Sequence, residues 1–209
     1  MKNGFKFFAY YLIIPAFLAM IFNVFVNKHL LLANILFYLV LLIIFSIIER
    51  KEIKKQFNDF KKKVKKDIFI IIKWILIEFI LMVVSNYIIG LFVSNIPANE
   101  LNNREFLMNN PILTLIYLLL IAPCVEEFVF RFSFRNIKNY YLYTILTSLL
   151  FTSLHLISIG NLMHLWYIIP YFVMGFGFAN IYYKCQNYFD STIGHIIHNI
   201  LCVIIILVF

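Results

Sequence analysis

The fold of this chain is decided by residues 111–134, PILTLIYLLLIAPCVEEFVFRFSF, an apolar run long enough to cross a bilayer. Inside this run lie Glu126, Glu127 and Arg131. An ionised side chain near the bilayer centre costs at least ~2.5 kcal/mol, so such residues usually face a bundle interior and serve a function. The stretch therefore predicts a membrane helix that carries a polar site.

The composition extends this prediction to the whole chain. The 209 residues are 63% hydrophobic and 13% charged, with a mean hydropathy of +0.90, which excludes an ordinary water-soluble domain. We expect an all-α, polytopic membrane helix bundle forming a single domain, residues 1–209, with about seven spans and a range of six to eight. Windows of about 20 apolar residues place the spans at residues 7–26, 29–48, 68–94, 111–134, 142–158, 163–184 and 190–209.

The charge distribution predicts orientation. Fifteen of the 18 Lys and Arg residues fall on one side of these spans, so the N-terminus is expected to be cytoplasmic. Much of the net charge of +8 lies in the loop 50–66, which is expected to form a surface helix on anionic headgroups rather than to bind nucleic acid. The polar segment 95–110 is expected to be an external connector.

The cysteines show no spacing that indicates a site. Cys124, Cys185 and Cys202 are scattered without a CxxC pair, which argues against a disulfide framework and against a thiolate zinc site. They are expected to be packing residues.

Polar residues in the later spans predict chemistry. Glu127 and Arg131 are four residues apart on one helix and can pair, which leaves Glu126 free to act. His155, His195 and Asn199 lie in other spans. A buried carboxylate as general base, with histidine and amide donors for an oxyanion, suits hydrolysis of an amide bond.

A metal is a further expectation. Glu126, His155 and His195 could hold a divalent ion, zinc being the expected one, which would add Lewis acidity and lower the pKa of a bound water. The HExxH signature is absent, so separate helices would have to supply the ligands. No organic cofactor is expected.

Three sequence runs resemble a known family. APCVEEFVFR (residues 122–131), FTSLH (151–155) and HIIHN (195–199) resemble the motifs EExxxR, FxxxH and HxxxN of the CPBP family of CAAX proteases and bacteriocin-processing or self-immunity proteins, also called Abi. The resemblance covers residues 111–203 as a catalytic core and leaves 1–110 as a variable region. It departs at Phe132, where the family usually has a small residue.

The resemblance implies an intramembrane endopeptidase that cleaves a membrane-associated peptide or protein, with roles in bacteriocin or pheromone processing or in self-immunity. It implies that Glu126 activates water with His155, and that His195 and Asn199 bind the oxyanion or a metal. Two alternatives remain: a non-catalytic membrane immunity protein that binds a partner, and a proton-coupled transporter that uses the buried Glu and His residues.

Helix geometry sets further expectations. Glu126 and His155 reach the same depth only if the helix of residues 111–134 continues to about Lys138. A water-filled cavity opening to the cytoplasm would then connect the site to solvent. Glu78 is expected to pair with a basic residue of another helix, and the role of His198 is left open.

Overall fold

The computed structural model describes residues 2–94, 96–156 and 162–208, and in these residues the chain is helical and contains no strand. The predicted spans 142–158 and 190–209 end at residues outside this described part. Ten α-helices are present among the described residues: α1 Lys2–Ile21, α2 Asn23–Lys28, α3 Leu30–Ile48, α4 Arg50–Gly90, α5 Ala98–Asn109, α6 Pro111–Ile116, α7 Ala122–Phe130, α8 Tyr140–Leu156, α9 Ile168–Cys185 and α10 Tyr188–Val208.

The polytopic membrane bundle is confirmed. In the described part of the chain, six helical segments are long and apolar enough to cross a membrane: Gly4–Ile21, Leu30–Ile48, Arg50–Gly90, Pro111–Phe134, Leu165–Cys185 and Tyr188–Val208. The remaining predicted span, 142–158, corresponds to α8, which has 17 residues and is one residue short of that length.

The basic loop and the third span form one continuous helix. Helix α4 has 41 residues, about 60 Å at 1.5 Å per residue, which is twice the hydrocarbon thickness. Its basic half docks on the turn between α9 and α10, where the Tyr188 amide donates to Gln56 Oε1 at 2.7 Å and Asn187 Nδ2 donates to the Gln56 carbonyl at 2.8 Å. The basic segment therefore forms a helix as expected, and this helix is anchored to the bundle.

The run 111–134 is not one regular helix. A π-helical turn, Tyr117–Ile121, separates α6 from α7, and Pro123 lies at the start of α7. Proline has no amide hydrogen, so it withdraws one bond from the helix. Short π-helical turns are rare and often occur at functional sites.

The predicted continuation of this helix to Lys138 is wrong. Helix α7 ends at Phe130 and a 3₁₀ turn, Phe132–Phe134, follows. The Ser133 hydroxyl donates to the Phe128 carbonyl at 2.7 Å, satisfying a carbonyl that the helix end leaves free. Both phenylalanines of the turn are buried, so the chain stays inside the bundle while it crosses to α8. Glu126 and His155 therefore meet without a longer helix.

Close packing of α8 on α9 depends on Gly175. A Cβ at this position would lie 3.2 Å from Phe151 Cδ1 and 3.2 Å from Ser148 Cα. Small residues let membrane helices approach closely, because van der Waals packing rather than water exclusion holds them together. The contact brings Phe151 and the residues that follow it on α8 against the centre of the bundle.

The expected external connector contains a helix. Helix α5 occupies Ala98–Asn109 and carries an ion pair between Arg104 Nη2 and Glu100 Oε1 at 2.7 Å. It lies at the end of the bundle opposite the α9–α10 turn, because it connects the end of α4 to the beginning of α6.

Candidate active site

Glu126 on α7 lies between two imidazoles. Its Oε2 is 3.8 Å from His195 Nε2 on α10 and 4.0 Å from His155 Nε2 on α8. These separations exceed hydrogen-bond length, but a water molecule at about 2.8 Å from each atom can bridge them. The structure thus brings together the three predicted site residues, whose helices are far apart in the sequence.

The backbone and Glu127 define which imidazole nitrogens face Glu126. His155 Nδ1 lies 2.8 Å from the Phe151 carbonyl, an acceptor only, so Nδ1 carries the hydrogen. His195 Nδ1 lies 3.0 Å from Glu127 Oε1, which assigns its hydrogen in the same way. In the neutral form both rings therefore present an unprotonated Nε2 to Glu126. Glu126 Oε2 and the two Nε2 atoms are then all hydrogen-bond acceptors, so a water molecule or a proton is needed between them.

Glu127 connects two predicted site residues. Its Oε1 lies 3.3 Å from Arg131 Nη1, and both side chains are fully buried, which agrees with the predicted pair. The same oxygen accepts from His195 Nδ1. Glu127 therefore fixes the orientation of the imidazole whose other nitrogen faces Glu126, as carboxylates do for histidine ligands and bases.

Arg131 is held by contacts on several sides. Its Nη2 donates to the Gly175 carbonyl at 3.1 Å. The guanidinium carbon lies 4.7 Å from the ring centroid of Phe151 and 5.5 Å from that of Phe178, within the range of cation–π attraction. Phe178 in turn stacks on His195, with centroids 4.3 Å apart. The arginine thus orders both the glutamate and the aromatic side chains around the histidine.

Asn199 is bonded to the distorted helix. The Ala122 amide donates to the Tyr117 carbonyl in the π register. In that register the Leu118 carbonyl would pair with the amide of residue 123, but Pro123 has none. Asn199 Nδ2 donates to this carbonyl instead, at 2.7 Å. One amide hydrogen of Asn199 is thereby used, and the second remains for a ligand.

Tyrosines of the N-terminal helices reach Glu126, which the sequence did not indicate. The Tyr38 hydroxyl on α3 lies beside the Glu126 carboxylate and 2.5 Å from the Tyr11 hydroxyl on α1. The ring of Tyr117 packs on that of Tyr38, with centroids 5.5 Å apart. Tyrosine is common in membrane helices, so no signal in the sequence separates these residues from interfacial ones.

A second buried acid–base pair lies beside the first. His198 Nδ1 is 2.7 Å from Glu78 Oε1 on α4, as expected for Glu78, and His198 Nε2 is 3.3 Å from Cys202 Sγ. Gly177 on α9 makes room for this pair, because a Cβ there would lie 2.6 Å from Glu78 Cγ. His198 packs edge-on against Phe178 at 5.4 Å between centroids, so it supports the ring that stacks on His195.

A cavity of about 330 Å³ leads to Glu126. Its wall includes Glu126, His155, His195 and Asn199. The cavity continues to α5, where Asn99, Asn103 and Arg104 line it. The cavity therefore runs toward the bundle end that the basic residues predict to be external. The expected opening toward the cytoplasm does not agree with this direction.

The predicted metal ligands are of suitable types and lie around one point, at separations slightly wider than those of ligands on a bound ion. In the described part of the chain, the group of donor atoms that all lie within 4.8 Å of one another is found elsewhere. It contains none of Glu126, His155 and His195. Glu126 Oε2 lies 4.0 Å and 3.8 Å from the two Nε2 atoms, a little more than the separation of ligands on one zinc ion. A metal at these three residues stays a prediction.

The fold and this arrangement define a class, that of polytopic α-helical membrane proteins with a carboxylate and histidines gathered inside the bundle. Residues 108–201 match a family model described as type II CAAX prenyl endopeptidase Rce1-like. The match confirms the resemblance carried by the three motifs and supports a CAAX-type protease that acts as an endopeptidase within the membrane.

One curated relative extends the likeness beyond this segment. The UPF0177 protein YxdF of Lactococcus lactis subsp. lactis (strain IL1403) is 28% identical over 164 residues, which are 75% of this chain and 86% of that protein. Its name states no substrate or reaction, so this similarity does not indicate an activity. No solved structure matches the chain significantly.

Proposed function

We propose that this chain is an intramembrane endopeptidase of the bacterial cytoplasmic membrane, in which Glu126 activates a water molecule for attack on a peptide bond. The observation that carries the proposal is the position of the Glu126 carboxylate, 3.8 and 4.0 Å from two imidazole Nε2 atoms at the inner end of a cavity. A general base must lie within reach of the proton that it removes, directly or through one water.

The reaction follows from these contacts. A water bridging Glu126 and one Nε2 gives a proton to Glu126 as its oxygen bonds to the scissile carbonyl carbon. The carbonyl becomes an oxyanion, for which the second amide hydrogen of Asn199 on the cavity wall is a neutral donor. The carbon–nitrogen bond then breaks, and the proton on Glu126 passes to the departing amine. Glu127 and Arg131 keep His195 in position throughout.

The cavity wall supports a membrane-associated peptide or protein as substrate. The part near α4, α9 and α10 is apolar, with Met82, Val83, Met174, Ile205 and Ile206. The end near α5 is polar. An apolar segment that enters from the bilayer would therefore fit the wall, with its polar continuation at α5. Peptide maturation, including bacteriocin or pheromone processing, and self-immunity are roles that such an activity can serve.

The test is cleavage of membrane peptides by the purified, detergent-solubilised protein. The substrates are a mixed library of apolar peptides together with prenylated CAAX peptides. Glu126→Gln should abolish product formation, because the amide accepts no proton from water. Glu105→Gln is the matched control, since Glu105 is exposed on α5 and does not line the cavity. Cleavage by Glu126→Gln at the wild-type rate would exclude the mechanism, and a chelator arm tests the metal separately.

A further inference from the structure

A second group of ligating side chains lies outside the candidate active site. Carboxylate oxygens of Asp67 and Asp190 and the sulfur of Cys185 all lie within 4.8 Å of one another. They come from three helices, α4, α9 and α10, which meet beside the α9–α10 turn. No sequence motif connects them, and the scattered cysteines gave no reason to expect a site here.

The two carboxylates are buried without partners. Asp190 is fully buried and Asp67 is 5% exposed. In the described part of the chain, neither oxygen of Asp190 has a hydrogen-bond donor, and Oδ2 of Asp67 has none. A buried ionised carboxylate is costly unless it is paired, hydrogen-bonded or bound to a metal. A proton shared between the two carboxyl groups or a bound cation would supply the missing partner, and the Cys185 sulfur in the same group favours the cation.

Helix capping does not explain Asp190. It lies in the first turn of α10, but within the described chain its oxygens accept no hydrogen bond and the first two amides of that turn bond other groups. The Tyr188 amide donates to Gln56 Oε1, and the Phe189 amide donates to Asn187 Oδ1 at 2.9 Å. Asn187 is thus the capping residue, and the Asp190 carboxylate points elsewhere.

Basic side chains do not neutralise the group either. Among the described residues, no Lys or Arg nitrogen lies within 4.0 Å of a carboxylate oxygen of Asp67 or Asp190. Lys63 is the basic residue whose charge acts on Asp190, but its side chain is exposed. Its attraction is weakened by solvent, so Lys63 does not neutralise the group.

We propose that Asp67, Cys185 and Asp190 form a divalent-cation site that selects zinc. Two carboxylates and a thiolate are donors that zinc accepts, in tetrahedral geometry with Zn–O about 2.0–2.2 Å and Zn–S about 2.3 Å. The thiolate disfavours magnesium and calcium, which prefer oxygen ligands only. Donors around such an ion lie about 3.4–3.7 Å apart, so the side chains need to close by no more than about 1.4 Å. Cys185 is free to ligate.

This site would fasten the end of the bundle that lies opposite α5. Asp190 precedes His195 by five residues, about 7.5 Å along α10, so an ion there would hold α10 against α4 and α9 near the candidate active site. The site is structural in this proposal, and it contributes no ligand to Glu126.

Cobalt binding provides the direct test, because a thiolate–cobalt charge-transfer absorption requires a cysteine ligand. The full chain, purified in detergent and stripped with chelator, is titrated with Co²⁺ and then with Zn²⁺. Wild type should develop the absorption, and zinc should displace it, since zinc binds more tightly than cobalt. Cys185→Ser should lose the absorption. Asp67→Asn and Asp190→Asn should weaken cobalt binding at least about tenfold, the lower limit seen when even supporting residues of metal sites are lost.

The other two cysteines give matched controls. A Cys124→Ser/Cys202→Ser variant keeps Cys185 alone and should retain the absorption, which also excludes Cys202 and the adjacent His198 as its source. Glu126→Gln should retain it, so the result is independent of the proposed protease. Cys185→Ser is nearly isosteric, and its elution on gel filtration checks folding. Absence of the absorption in folded wild type, or its persistence in Cys185→Ser, would overturn the site.

Discussion

Glu126 and Glu127 are neighbours in the chain, but their carboxylates meet different surroundings. Glu127 is fully buried and contacts Arg131 and His195. Glu126 faces the cavity and the two Nε2 atoms. The helical rotation of about 100° per residue separates the two groups. These contacts support a positioning role for Glu127 and the proposed role of Glu126 as the base that faces the cavity.

Removal of Glu127 should destabilise the protein more than removal of Glu126. Glu127→Ala leaves Arg131 charged and buried, which costs about 3–5 kcal/mol for such pairs. Unfolding of the detergent-solubilised variants by a chemical denaturant, followed by circular dichroism, measures the difference. Glu126→Ala should stay close to wild type, since Glu126 has no ion pair with Lys or Arg among the described residues. An unchanged unfolding free energy for Glu127→Ala would contradict the assignment.

A compensating change distinguishes charge from shape. Glu127→Leu combined with Arg131→Met removes both charges and fills similar volume, and such replacements are often neutral or stabilising. We expect the double variant to regain most of the stability lost in Glu127→Ala. It should remain poor in cleavage, because His195 loses its Nδ1 acceptor.

At the scale of elements, the distorted helix of residues 111–134 connects its own backbone to α10. Pro123 leaves the Leu118 carbonyl without a helical donor, and Asn199 supplies one. The proline and the asparagine are therefore expected to be coupled, although they are far apart in the chain.

A double-mutant cycle measures this coupling. Pro123→Ala supplies an amide that can bond the Leu118 carbonyl, so Asn199→Ala should cost less in that background than in wild type. We expect a coupling of about 0.5–3 kcal/mol, the range seen for residues that share a hydrogen-bond network. Unfolding free energies of the four proteins give the value, and strict additivity would show that the two residues act separately.

The packing of α4 against α9 provides another prediction at this scale. Gly177→Ala would place a Cβ 2.6 Å from Glu78 Cγ, which forces the Glu78–His198 pair apart. Overpacking of this kind costs about 1–3 kcal/mol. Gly90→Ala is the matched control, since nothing lies within 4 Å of its Cβ position, and it should be neutral or stabilising. Thermal unfolding of both variants makes the comparison, and equal midpoints would exclude the steric argument.

At the scale of the whole molecule, the N-terminal helices complete the site that the C-terminal half begins. Tyr38 of α3 lies beside Glu126, and the cavity runs from Glu126 to α5. The family match covers residues 108–201, so α1, α3 and α4 contribute contacts from outside the matched segment. The substrate path and the support of the base thus depend on the complete bundle.

The orientation of this bundle can be tested in cells. In a cysteine-free background, Lys62→Cys on α4 and Asn102→Cys on α5 occupy exposed positions at opposite ends of the bundle. We expect a membrane-impermeant maleimide to label Asn102→Cys on intact cells and Lys62→Cys only after lysis, because the basic side faces the cytoplasm. The reverse pattern would place the cavity entrance at the cytoplasmic side.

The sequence by itself determined the features that follow from composition and helical period. Its hydropathy required a membrane bundle, and the spacing of Glu127 and Arg131 required their contact, because residues four apart on a helix are neighbours. The convergence of Glu126, His155 and His195 was inferred from a resemblance, and the distances agree with it.

Only the tertiary structure decided the contacts between distant segments. Three of these contacts join helices that are far apart in the sequence, so no helical spacing predicts them. They are the bond between Asn199 and the Leu118 carbonyl, the position of the Tyr38 hydroxyl beside Glu126, and the group formed by Asp67, Cys185 and Asp190. The end of α7 at Phe130 depends on burial of the following turn. Such contacts depend on how helices pack and where a π-turn shifts their faces, and neither is encoded in local spacing.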